Sequence, residues 1–149
     1  MNEHSFIKTI HKKLAPEVYK WKIHDTYTGG VPDAFYAGPS GILFVEYKYI
    51  KKLPVKESTP VRTSLTKLQA LWLNTMEENG VKVALIIGSP NKNCIKLSDF
   101  CRPISKIEFN NNSIIAFIEE CVLTSRTEQN DCVTPARPES TKNLEPKEK

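Results

Sequence analysis

The sequence predicts an α/β fold, a mixed β-sheet flanked by helices, and three observations predict it. Apolar residues recur at helical spacing in three separated segments, near the start, middle and end of residues 1–124. Between the first two segments, runs rich in aromatic and β-branched residues are joined by Gly38-Pro39-Ser40-Gly41, the composition of a hairpin turn. After the second segment comes Val81–Gly88, apolar almost throughout, as a central strand covered on both faces would be.

Each element has a local reason. Phe6, Ile7, Ile10 and Leu14 keep one face of a first helix, which Pro16 stops. Val18–Ile23 alternates weakly, as a short strand, and Gly29-Gly30 marks a turn. Pro32–Ala37 and Ile42–Ile50 are the two arms of the hairpin, and Lys51–Thr63, with Pro54 and Pro60, reads as a long linker. Ser64 is placed to cap a second helix with the stripe Leu65, Leu68, Trp72 and Met76, ending at Asn79-Gly80. Asn93–Leu97 is positioned to pair with the Val81–Gly88 strand. A last helix near Asn112–Leu123 carries Ile114, Ile115, Ile118, Cys121 and Val122 on one face.

Composition narrows the class. The 149 residues carry 21 basic and 17 acidic side chains, a net +4. Ser125–Lys149 holds five of each sign, three prolines and no aromatic, too little to offset its ordering entropy, and reads as a disordered tail. The body, residues 1–124, keeps the whole +4, which permits a polyanionic partner without demonstrating one. No run is long and apolar enough to span a bilayer, and the charged N-terminal stretch is unlike a signal peptide, so a cytoplasmic protein with no membrane partner is expected. Cys94, Cys101, Cys121 and Cys132 lack zinc-ligand spacing and are expected to be free thiols.

The hairpin carries the chemistry. If Ala37 faces Ile42, facing residue numbers sum to a constant and Asp33 falls opposite Glu46. Facing carboxylates repel, and on an apolar strand they are also partly desolvated. A divalent cation between them removes both penalties, and hard oxygen ligands suit Mg²⁺ or Mn²⁺. Lys48, two residues on, returns to the same face, where it can pair with Glu46 or steady charge developing on a phosphoryl group. Glu3 extends the apolar face of the first helix toward the sheet, although an acid in a first helical turn is also favoured by the helix dipole. Gln69 lies within the second helix's stripe, where a polar amide needs partners. Lys20, Lys22, Lys51, Lys52, Lys56 and Arg62, with Trp21, Tyr27, Tyr36, Tyr47 and Tyr49 interleaved, are compatible with a nucleic-acid surface. His24-Asp25 has no nucleophile nearby and reads as an ordinary loop pair.

Pro32-Asp33, twelve intervening residues and then Glu46-Tyr47-Lys48 resemble the signature of the PD-(D/E)XK nucleases. With Gly30-Val31 before it, the helix Ser64–Leu73 containing Gln69 and Trp72, and Gly80–Val83, the chain is similar to the small stand-alone members of the VRR-NUC branch over roughly residues 3–90. The resemblance implies a restriction-endonuclease-like αβββαβ core. It implies metal-dependent hydrolysis of DNA phosphodiesters, leaving a 5′-phosphate, with Asp33, Glu46, Lys48 and Gln69 catalytic. Glu3, Asp33, Glu46 and Tyr47 would then lie at the Mg²⁺ or Mn²⁺, and no small-molecule cofactor is expected. Family members of this type act as homodimers on branched DNA such as four-way junctions. The alternative is a non-catalytic nucleic-acid-binding or interaction module on a nuclease-like scaffold.

Overall fold

A computed structural model describes residues 1–124, so the expected tail at 125–149 lies outside the described residues. Helix α1 (Glu3–Lys13) starts at Asn2, whose side chain accepts from the Ser5 N–H, and it ends at Leu14 just before Pro16. Strands β1 (Tyr19–Lys22), β2 (Ala34–Gly38) and β3 (Gly41–Tyr49) follow, then helix α2 (Lys67–Glu78) and strands β4 (Val83–Gly88) and β5 (Asn93–Lys96). Helix α3 (Ile114–Leu123) closes the described chain.

The five strands form one sheet in the order β1-β2-β3-β4-β5, antiparallel except for the parallel pair β3/β4. Parallel neighbours need a long crossover, and here it runs through α2. Ile7, Ile10, Ile114, Ile118 and Val122 of α1 and α3 cover one face, over Tyr36, Val45, Tyr47 and Ile86. Leu73, Trp72 and Met76 of α2 cover the other, over Val83, Leu85 and Ile87. All six residues of β4 are buried, as its unbroken apolar run requires. The expected α/β class with a mixed sheet is therefore present. No helix among the described residues is long and apolar enough to cross a membrane.

The hairpin register is the expected one: Ala37 faces Ile42 and Ala34 faces Val45. Gly38 faces Gly41, which leaves Pro39-Ser40 as a two-residue turn, and the Ser40 N–H donates to Val122 O at 2.8 Å, tying the tip to α3.

Three local expectations need correction. Helix α2 begins two residues later than Ser64 predicts, because Thr66 caps it: the Thr66 hydroxyl accepts from Gln69 N–H and the Gln69 amide oxygen accepts from Thr66 N–H. Leu68 leaves the buried stripe and is 58% exposed, because the helix turns Ala70 and Leu73 toward the sheet instead. The 51–63 stretch is no free linker, since Val61 is buried and its N–H donates to Ile104 O at 2.7 Å. The described cysteines, Cys94, Cys101 and Cys121, are free thiols.

Candidate active site

The site forms where β3 ends, β2 begins and the first turns of α1 and α2 approach. Asp33 immediately precedes β2 and continues the register that puts it across from Glu46. Its carbonyl accepts from Ile23 N–H at 2.8 Å, and its carboxylate Oδ2 accepts from Tyr47 N–H at 2.8 Å, which fixes it between β1 and β3. The loop before it is pressed onto α2. Gly30 has φ +87°, and a Cβ there would lie 2.5 Å from the Leu68 carbonyl oxygen. Gly29-Gly30 thus does more than turn the chain: it lets the Asp33 loop touch the main chain beside Gln69.

Glu46 is fully buried. Its Oε1 accepts from Lys48 Nζ at 2.7 Å and from Gln69 Nε2 at 2.5 Å, while Oε2 is buried with no hydrogen-bond partner. Burial first, then the charge of Asp33, push its carboxyl up to about 7 against the pull of Lys48. Lys48 is itself buried, so the ion pair lies inside the fold and not on its surface. Gln69 uses both ends of its amide, the oxygen on the helix cap and the nitrogen on Glu46. That is how a capping residue becomes a positioning residue for a carboxylate on the preceding strand.

Glu3 stands close enough to feel the rest. Its carboxyl is raised, by burial first and also by Asp33, with Lys48 and Lys22 opposing. Tyr47 is different. Its phenol points to the α1 and α3 side, bonded at 2.7 Å to the hydroxyl of Tyr36, so only its main chain adjoins Asp33. Among the described residues no three His, Cys, Asp or Glu side chains converge into a metal-holding group. One oxygen of Asp33 is turned to a main-chain N–H and one of Glu46 to Lys48 and Gln69.

The expected basic surface divides. Lys20 and Lys22 lie along β1 on the α1 side. Lys51 and Lys52 join Lys92 and Lys106 in a cleft of about 300 Å³ with no acidic side chain in its wall. Arg62 lines a separate cavity of about 540 Å³ beside Thr66 and Lys67, and Lys56 lines neither. Lys92 and Lys106 lie far from the hairpin in sequence, and no motif marks them. Of the interleaved aromatics, Tyr36 and Tyr47 are core residues and Tyr49 packs on Phe6, leaving Trp21 and Tyr27 exposed. Asp25 does not pair with His24: its carboxylate accepts from the Tyr27 and Thr28 N–H groups, an Asx turn.

Gln69→Glu keeps an acceptor for the helix cap but adds a further carboxylate, beside Asp33, against Glu46. The variant is expected to lose about 1–3 kcal/mol at pH 8 and to recover most of it at pH 5, where the pair shares a proton. Urea unfolding at the two pH values checks this, and a pH-independent loss would show that the Gln69–Glu46 contact does not govern the charge. No family model, curated protein or solved structure matches the chain.

Proposed function

We propose that the chain is a metal-dependent DNA endonuclease with a restriction-endonuclease-like core and an active centre at Asp33, Glu46, Lys48 and Gln69. One observation carries the reading: Glu46 is a fully buried carboxylate with an unpartnered oxygen, across a strand pair from a second carboxylate. Such an arrangement opposes folding through both desolvation and like-charge repulsion. A stable fold that retains it has a use for it. A divalent cation fits, since the free oxygen and the excess negative charge are what a hard cation such as Mg²⁺ or Mn²⁺ takes. Asp33 and Glu46 would hold it, with Glu3 as the neighbouring third carboxylate and Tyr47 adjoining through its main chain. A cation bound there supplies Lewis acidity for the attack of water on a phosphodiester.

The chain's own groups do the rest. Gln69 and Lys48 fix the Glu46 carboxylate through Oε1, which leaves Oε2 as its free donor atom. Lys48 brings a buried ammonium to the pair, where a cation stabilises the charge that grows on the non-bridging oxygens during displacement. The element order, a helix, three antiparallel strands, a crossover helix and a parallel strand, supports the αβββαβ core. The net +4 and the four-lysine cleft support a nucleic-acid substrate. Branched DNA as the preferred substrate and a homodimer as the working unit follow from the VRR-NUC resemblance.

Incubating branched and linear DNAs with Mg²⁺, Mn²⁺ or EDTA tests this. Cleavage is expected in the metal lanes alone, with 5′-phosphate ends. DNA binding in every lane with cleavage in none would favour the non-catalytic module instead. Lys92→Ala and Lys106→Ala are each expected to weaken DNA binding across sequences and to lower the salt dependence of log K by about 1. Fluorescence anisotropy at several salt concentrations reads both.

A further inference from the structure

The edge strand β1 carries a pattern that this chemistry does not use. Its residues are Tyr19, Lys20, Trp21 and Lys22, and the pleat sends the aromatics to the α2 side and the lysines to the α1 side. Trp21 is 54% exposed and Tyr19 61%. Trp21 faces Phe35 in the strand register, and a series of rings runs inward from Tyr19: Tyr19 meets Phe35 at 6.2 Å, Phe35 meets Phe44 at 5.1 Å, and Phe44 meets Trp72 at 5.2 Å. On the other side, neither Lys20 nor Lys22 enters an ion pair among the described residues. His11 reports the field there: burial first, then Lys20 and Lys22, hold its imidazole below the ordinary value.

The position of Trp21 relative to the carboxylates gives the pattern a meaning. Trp21 faces Phe35, two residues from Asp33, so Trp21 and Asp33 are diagonal neighbours on one face, about 7–8 Å apart. That is the reach of one or two nucleotides of an extended strand. We propose that Trp21, with Tyr19 beside it, is a stacking platform for unpaired bases, so that the strand presented to Asp33 and Glu46 is single-stranded next to the phosphate that is cut. The inference rests on the nuclease reading for what happens at the carboxylates, but not for the binding itself. Single-stranded nucleic acid matches the strand's two faces, with base rings on the aromatics and phosphates on the unpaired lysines. A duplex keeps its base faces covered by their own neighbours. A second copy paired along β1 would bring Lys20 and Lys22 toward their own copies, a repulsion that a phosphate backbone turns into attraction.

The chain has two tryptophans, so Trp72→Phe leaves Trp21 as the sole tryptophan, read by excitation at the red edge where tyrosine does not absorb. In EDTA, a short oligo(dT) is expected to quench that emission. In the otherwise native chain, Trp21→Ala is expected to weaken oligo(dT) binding about tenfold, and duplex binding by less than about twofold. Trp21→Phe, which keeps an aromatic face, is expected to stay within about threefold of the parent, which separates stacking from a general loss of fold. Absence of quenching would overturn the proposal, as would equal weakening on duplex and oligo(dT). Emission that changes with protein concentration alone, together with a two-copy mass in sedimentation, would overturn it by making this face an interface between copies. Mg²⁺-dependent cleavage without quenching removes the platform and leaves the nuclease; quenching without cleavage does the reverse.

Discussion

Glu46→Gln is expected to lower metal-dependent DNA cleavage by about a thousandfold or more. It is also expected to remove a pH-dependent weakness from the metal-free protein. The amide keeps the shape of the carboxylate, and its oxygen can still accept from Lys48, but it brings no charge to a cation. The stability effect follows from proton linkage. The Glu46 carboxyl lies near 7 in the folded chain, above its ordinary 4.5, so the folded state binds its proton more tightly than the unfolded state does. Its contribution to stability is full below about pH 4.5 and is lost as the pH rises through about 7, a change of roughly 3 kcal/mol. Urea unfolding in EDTA between pH 4.5 and 8 reads it: the wild type is expected to lose about 3 kcal/mol more than Glu46→Gln across that interval. Parallel curves would mean that the buried charge is compensated by Lys48 and Gln69 after all. Cleavage by Glu46→Gln at the wild-type rate would remove the nuclease reading.

Gly30→Ala is expected to cost about 3 kcal/mol, and Gly80→Ala only about 1 kcal/mol, although both residues have positive φ, +87° and +80°. The shared part is the strain of a left-handed backbone conformation on a residue with a Cβ. The difference is the neighbourhood. A Cβ on Gly80 meets nothing within 4 Å, whereas one on Gly30 meets the Leu68 carbonyl oxygen and carbon at 2.5 and 2.7 Å. Those are main-chain atoms of the first turn of α2, which cannot swing aside as a side-chain tip does. Relief requires the Asp33 loop and α2 to separate, which also pulls Gln69 from Glu46. Gly30→Ala is therefore expected to reduce cleavage as well as stability, while Gly80→Ala leaves cleavage near the wild-type rate. Urea unfolding and single-turnover cleavage of both variants check this, and equal costs at the two glycines would show that the Leu68 contact contributes nothing.

Much of the fold was legible because its signals are local. The Phe6–Leu14 spacing, the apolar run of β4 and the Gly38–Gly41 turn each placed an element within a few residues of its observed bounds. Thr66-Lys67-Leu68-Gln69 also holds a capping-box pattern, a signal that outranks Ser64 as the start of α2. Other features had no local signal. Lys96 is buried with its ammonium donating to the carbonyls of Asp99 and Arg102, and nothing in the sequence distinguishes it from the exposed lysines. Tyr36 and Tyr47 looked like surface aromatics among basic residues and are core residues joined through their hydroxyls. Their alternation places them opposite the carboxylates, yet only the helices packed on that face show which side of the sheet is covered.

Given an even-length turn, the sequence by itself determined that Asp33 and Glu46 face each other and that Lys48 shares their side, and the structure supplies that turn. Hairpin parity and strand alternation are properties of the backbone, independent of what packs around it. Only the tertiary structure decided that the Glu46 charge is buried, that Gln69 rather than a solvent molecule holds its Oε1, and that Lys51 and Lys52 meet Lys92 and Lys106. Those outcomes depend on how α2 rotates over the sheet and where the long 50–66 and 97–113 segments return. Neither carries a period or a turn signal strong enough to set its path before the core forms.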